Sequence, residues 1–297
     1  MNKNKLMAVA EKSALGRKVF QLAGTVGLAL ALSLPASAAS LAEIQERGLL
    51  KAVTEDAFPP FEFITDGKPD GFHADVIKEL RAYASFDVSQ EQLPWTGLLA
   101  AVSAGKYDAA ITGAGVTADR LSKFDYAPPI CLNVTYYIKR KGDDRINGVK
   151  DLDGLVVGVQ AGSAVLATIP QLAAKLKAMG GSLGEVIEYQ SYPEVYADLA
   201  NGRLDYAVNS VVSAATMVAE RDDVFELGEA TAGLGFIAWP VKKGNDDLLN
   251  YLAGFVDHMR STGKLAELQT KWFGTSFPEL PKVTITSVEQ FNLLTGN

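Results

Sequence analysis

Apolar and polar residues alternate along this chain in two different periods. The run Lys51-Ala-Val-Thr54 reads as a short strand ending in Glu55-Asp56-Ala57-Phe58-Pro59-Pro60-Phe61, where two prolines stop regular structure. Val76, Ile77, Leu80 and Tyr83 then recur at helical spacing within 71–84. Pro94-Trp95-Thr96-Gly97 opens a second helix over 98–104, closed by Gly105, and Ala109 to Ile111 is a short apolar strand. After Pro128-Pro129 the cycle restarts. Strands are predicted over 134–139, 155–159, 186–189 and from Asp205, with helices starting at Gly162-Ser163 and over 194–200. The run Gly233 to Trp239 is a further strand, and Asp246 to Ser261 is a helix. Strands alternating with helices predict an α/β fold with mainly parallel sheets.

The second α/β unit is inserted into the first. The predicted organisation is one lobe from residues 39–133 and 237–297, and a second from 134–236. Two crossings between lobes make a hinge, with the ligand cleft at the C-terminal ends of the strands. The first residues stand apart from this fold. Lys3, Lys5, Arg17 and Lys18 precede an apolar run from Phe20 to Leu34 and a small-x-small site, Ala36-Ser37-Ala38. This is the pattern of a secretory signal peptide over 1–38, so the expected location is the periplasm.

Charge and composition narrow the partners. Formal net charge is −7 for the whole chain, and a leader carrying five basic residues and Glu11 leaves the remainder near −11. That balance argues against nucleic acid or an anionic membrane as partner. Cys131 is the only cysteine, and the two histidines, His73 and His258, read as helix-surface residues. Neither a zinc cluster nor a cysteine–histidine pair is recognisable, and no cofactor is expected.

The most informative segment is Thr112-Gly113-Ala114-Gly115, followed by Thr117 and Arg120. Glycines let a ligand approach the backbone, Thr117 reads as a helix N-cap, and Arg120 in the first turn adds a carboxylate-matching fork.

The collinear motifs resemble the extracytoplasmic solute-binding proteins of family 3, which serve polar amino-acid ABC transporters. They are Phe58-x-Pro-Phe61-Glu62-Phe63, Asp70-Gly71-Phe72-x-x-Asp75, Gly105-x-x-Asp108, Thr117-x-x-Arg120 and Asp125-Tyr126. Further on come Leu152-x-Gly154-x-x-Val157-Gly158-Val159, Gly162-Ser163, Leu199-x-x-Gly202-Arg203-x-Asp205 and Lys271-Trp-Phe-Gly274. The resemblance implies a two-lobed, type II-like periplasmic-binding-protein fold, monomeric and not an enzyme. Such a protein closes on a small carboxylate-bearing zwitterion and hands it to an inner-membrane permease.

By the same resemblance Arg120 is the carboxylate-binding arginine, and Gly113 and Gly115 form its amide-donating turn. Ser163 would offer a hydroxyl and a backbone N–H from the opposite lobe. Phe58 and Trp95 would sandwich the ligand, Glu55 would read its distal or cationic group, and Gln160 takes a pocket position. Ser210, with Asn209 before it, stands where many members place an aspartate for the α-ammonium. Serine cannot neutralise a buried cation. The expected cargo is therefore a polar amino acid or amino-acid derivative that either lacks a free α-ammonium or has its cation placed elsewhere, with an ectoine-like compatible solute or an opine as the alternative. A dehydratase-like enzyme on this fold is the remaining rival. The tail after Gly274 is expected to pack on a lobe.

Overall fold

A computed structural model describes residues 39–296. The predicted leader, 1–38, lies outside the described residues.

Two five-stranded sheets organise the chain. In spatial order the first contains Asp87–Leu93, Leu49–Glu55, Ala109–Ala110, Pro240–Lys242 and Phe124–Tyr126. Its first three strands are parallel, whereas Pro240–Lys242 runs antiparallel to both neighbours. The second contains Val186–Tyr189, Val157–Gln160, Tyr206–Ser210, Thr135–Arg140 and Phe225–Ala230. It is parallel across its first two pairs and antiparallel across the last two. Cys131–Leu132 and Phe236–Ile237 pair antiparallel between the sheets, extended by a bond from Asn133 N–H to the Gly235 carbonyl at 2.8 Å. The chain thus crosses between lobes twice at a single two-stranded ribbon.

Both sheets are covered on both faces, which explains their near-continuous apolar runs. Leu50, Ala52 and Ala109 enter one core cluster while Val53 and Ala110 enter another, as the two-residue period of a strand requires. In the second sheet Ala207 and Ile138 face one core, and Val157, Val159 and Val208 the other. The helix Asp246–Ser261 buries Leu248, Leu249, Leu252, Phe255, Val256 and Met259 on one stripe. Asp246 and Asp247 occupy its first turn and Arg260 its last, matching the helix dipole.

Several local expectations are corrected. Thr117 does not cap an α-helix: its hydroxyl accepts from Arg120 N–H at 3.2 Å, ahead of a short 3₁₀ turn, Arg120–Ser122. No helix begins at Gly162-Ser163; a 3₁₀ turn, Leu166–Thr168, precedes the α-helix Ile169–Ala178, where Pro170 is accommodated in the first turn. His73 is not on a helix surface but fully buried, because Glu62 and Trp239 occupy both of its ring nitrogens. His258 is exposed and lies beside Tyr83. The tail touches the edge of the first sheet through Ile285, whose N–H and carbonyl both pair with Tyr126 at 3.0 Å.

Candidate ligand-binding cleft

The C-terminal ends of the strands bring the chemistry together. Leu49–Glu55 delivers Glu55, and Val157–Gln160 delivers Gln160 from the other sheet. Gln160 Nε2 donates to Glu55 Oε1 across the cleft at 2.6 Å, and each residue is 2% exposed. Burial pushes the Glu55 carboxyl well above the usual carboxylate range, and the nearby charge of Glu62 adds to the shift.

Arg120 is 8% exposed and spans the lobes. Its Nη1 donates to the Gly115 carbonyl at 2.6 Å and its Nη2 to the Gly162 carbonyl at 2.9 Å. The guanidinium lies over the Trp95 ring, 4.9 Å from the centroid. Trp95 reaches this place because Thr96 and Gly97 leave helical geometry directly after it, Gly97 with φ +93°.

The two glycines of the turn have different jobs. The Gly113 N–H donates to Glu62 Oε1 at 2.9 Å, so this amide is not offered to the cleft as expected. A Cβ at Gly113 would sit 2.7 Å from the Phe58 ring, so the position is kept small for that aromatic. At Gly115 a Cβ would meet Asn133 Nδ2 at 2.7 Å and collide with the Ala164 Cβ of the inserted lobe. Glycine there permits close approach of the two lobes.

Behind the turn lies a buried network. Glu62 accepts from the Thr112 hydroxyl, the Gly113 amide and His73 Nδ1, the last at 2.5 Å. Trp239 Nε1–H donates to His73 Nε2 at 3.0 Å, and the Glu55 N–H donates to Thr112 Oγ1 at 3.1 Å. The network ties Glu55 and the glycine turn to the strand behind the ribbon.

Glu55, Phe58, Trp95, Gly113, Gly115, Arg120, Gln160 and Ser163 together line one small cavity of about 20 Å³, room for a water molecule. Ser163 is already engaged: its N–H donates to the Gln160 carbonyl at 3.3 Å and its Oγ accepts from Leu166 N–H at 3.0 Å. Asn209 and Ser210 do not line this cavity. Asn209 donates to the Tyr196 hydroxyl at 2.7 Å, and Ser210 caps the helix Val211–Glu220. Asn133, Ala164, Val165, Tyr192 and Ile237 line it without having been anticipated. Tyr192 had a readable signal. Ser191 and Glu194 form a capping box that starts the helix at Tyr192, directly beyond the end of a strand.

The sequence matches the model of the bacterial extracellular solute-binding proteins, family 3, over residues 50–275. The chain belongs to that family. It is 27% identical over 264 residues to the L-cystine-binding protein TcyJ of Escherichia coli K12, covering 88% of this chain and 96% of that one. An ancestral arginine-binding protein bound to arginine superimposes with a TM-score of 0.69 at 28% identity, over 77% of this chain and 99% of that one. An ancestral amino acid-binding protein described as a precursor of cyclohexadienyl dehydratase gives 0.68 at 25% identity, over 78% and 98%. These family members share the two-lobed periplasmic fold. These relatives are named as amino-acid-binding proteins, which does not favour a compatible solute as the cargo class.

Proposed function

We propose that this protein is the periplasmic substrate-binding component of an ABC importer for a polar amino acid. The observation that carries the reading is the Arg120 guanidinium, buried over Trp95 and hydrogen-bonded to a carbonyl from each lobe. A ligand carboxylate arriving there takes a two-pronged, charge-assisted contact and, by touching both lobes, favours closure. Glu55 is the one carboxylate among the lining residues and Arg120 the one cation. A net-neutral amino acid satisfies both: carboxylate on Arg120, ammonium on Glu55. Arginine or lysine would leave one cation without an acidic partner in the cleft, at a desolvation cost.

The closed monomer then docks on its inner-membrane permease, after export and removal of a leader at Ala38. Binding and release, without conversion, complete the cycle. The relationship to a dehydratase precursor gives one rival use for a buried carboxyl such as Glu55: proton transfer.

Calorimetry with L-glutamine, L-histidine, L-arginine and L-cystine, on wild type and Arg120→Ala, tests the reading. At least one amino acid is expected to bind, and the variant to bind it at least tenfold more weakly, because a charge-assisted contact is worth about 1.5–3 kcal/mol. No heat with any of them, or unchanged affinity in the variant, refutes it. NMR of the recovered ligand after incubation separates binding from conversion.

A further inference from the structure

Among the described residues, six buried side-chain polar atoms lack a hydrogen-bond partner: four tyrosine hydroxyls, Ser213 Oγ and Arg260 Nη1. Of these residues only Tyr192 lines the cavity shared by Glu55, Gln160 and Arg120. Its ring is held in place on both sides. Phe58 of the first lobe stacks at 5.6 Å and 25°, and Tyr196 of the inserted lobe at 5.9 Å and 28°. The side chain is 2% exposed, so bulk water does not serve the hydroxyl. A buried hydroxyl without a partner is disfavoured, and natural sites keep such groups where a ligand completes them.

We infer that Tyr192 is a ligand-contacting, specificity-determining residue, its hydroxyl meeting the polar side-chain group of the bound amino acid. The inference rests on the amino-acid reading above and adds the residue that separates polar from apolar side chains. With the carboxylate on Arg120 and the ammonium on Glu55, the ligand side chain is the part left to be recognised. A fixed phenol can donate to a side-chain carbonyl or accept from an amide or imidazole N–H. The Ser163 side chain and the Gln160 backbone lie near the hydroxyl, yet neither meets it in hydrogen-bonding geometry, so an apolar ligand side chain would seal it off poorly paired. Rejection of ligands that lack a required polar group follows the same logic in other hydrogen-bonding sites.

The test is Tyr192→Phe, which keeps the ring and both stacking contacts. Calorimetry compares the tightest of L-glutamine, L-histidine, L-arginine and L-cystine with L-norvaline, whose side chain is apolar. The preference for the polar ligand is expected to shrink about tenfold in the variant, while its ligand-free Tm stays equal or rises. A preference within twofold of wild type overturns the assignment, and so does an equal loss for both ligands, which would mean the ring only packs. Wild type that binds none of the five overturns the amino-acid reading itself and this inference with it. Wild type that binds, beside an indifferent variant, sinks the Tyr192 role alone.

Discussion

The carboxyl of Glu55 and the carboxamide of Gln160 meet across the cleft, 2.6 Å apart, each at the end of a strand from a different sheet. This bond is a latch between lobes, made to a group that burial holds above the ordinary carboxylate range.

That latch makes stability depend on pH in a defined direction. An acid whose pKa is raised on folding binds more protons in the native state than in the unfolded one. Its contribution is most favourable below the unfolded value, near 4.3, and is lost as pH rises toward the elevated native value. Glu55→Gln removes this titration and keeps a side chain of similar shape. Thermal melts from pH 4.5 to 8 are expected to show wild type losing Tm more steeply than the variant over that range. At neutral pH the ligand-free variant should melt at least as high as wild type and bind the zwitterion about tenfold more weakly. Parallel melting curves would remove Glu55 as the titrating group.

Gly115 limits how closely the lobes approach. Its backbone is not in the left-handed region, so alanine costs no conformational strain, yet the added Cβ would run into Ala164 and lie 2.7 Å from Asn133 Nδ2. Gly115→Ala is therefore expected to hold the lobes apart while each stays folded. Ligand affinity should fall at least tenfold, because binding is linked to closure. Small-angle scattering with saturating ligand should show a larger radius of gyration than wild type. A variant that closes to the wild-type envelope would contradict this account.

Much of the frame was legible because local pattern and tertiary burial agree. The helix Asp246–Ser261 could be read to the residue, its apolar stripe and terminal charges pointing to one answer. Glu55 and Gln160 could be placed in the cleft only through the family resemblance, and the structure sets each at the end of an apolar strand, where such sheets carry their sites. His73 was misread because its burial depends on Trp239, 166 residues away, and on Glu62. No local period reports such a partnership. The roles of Gly113 and Ser163 were likewise set by bonds the sequence does not display, a carboxylate 51 residues distant in one case and a 3₁₀ turn in the other.

Ser210 shows the same point from the opposite side. Its hydroxyl caps the helix Val211–Glu220 by accepting from Ser213 N–H, and it lies away from the cavity. Ser210→Ala should cost about 1 kcal/mol, the usual cost of losing such a cap. For a protein of this size that corresponds to a fall in Tm of about 2–4 °C. Ligand affinity should stay within twofold; a tenfold change would return Ser210 to the binding site.

Glu62 offers the most stringent test of what holds the cleft. Indole nitrogen only donates, so Trp239 Nε1–H at 3.0 Å requires His73 Nε2 to accept. The neutral ring then carries its proton on Nδ1 and gives it to Glu62 Oε2, while Glu62 Oε1 serves Thr112 and Gly113. Glu62→Gln cannot fill both roles. If its oxygen keeps Thr112 and Gly113, its NH₂ faces the Nδ1–H; if His73 changes tautomer to accept, Trp239 loses its acceptor. Either way one buried donor is left without a partner, at a cost of about 1–3 kcal/mol. Thermal unfolding of Glu62→Gln should fall by several degrees despite the near-identical volume. Ligand affinity should fall with it, because in either case the network behind the turn that leads to Gly115 and Arg120 is weakened. A variant with wild-type Tm would show that the network tolerates an amide and would overturn this account of what holds the cleft.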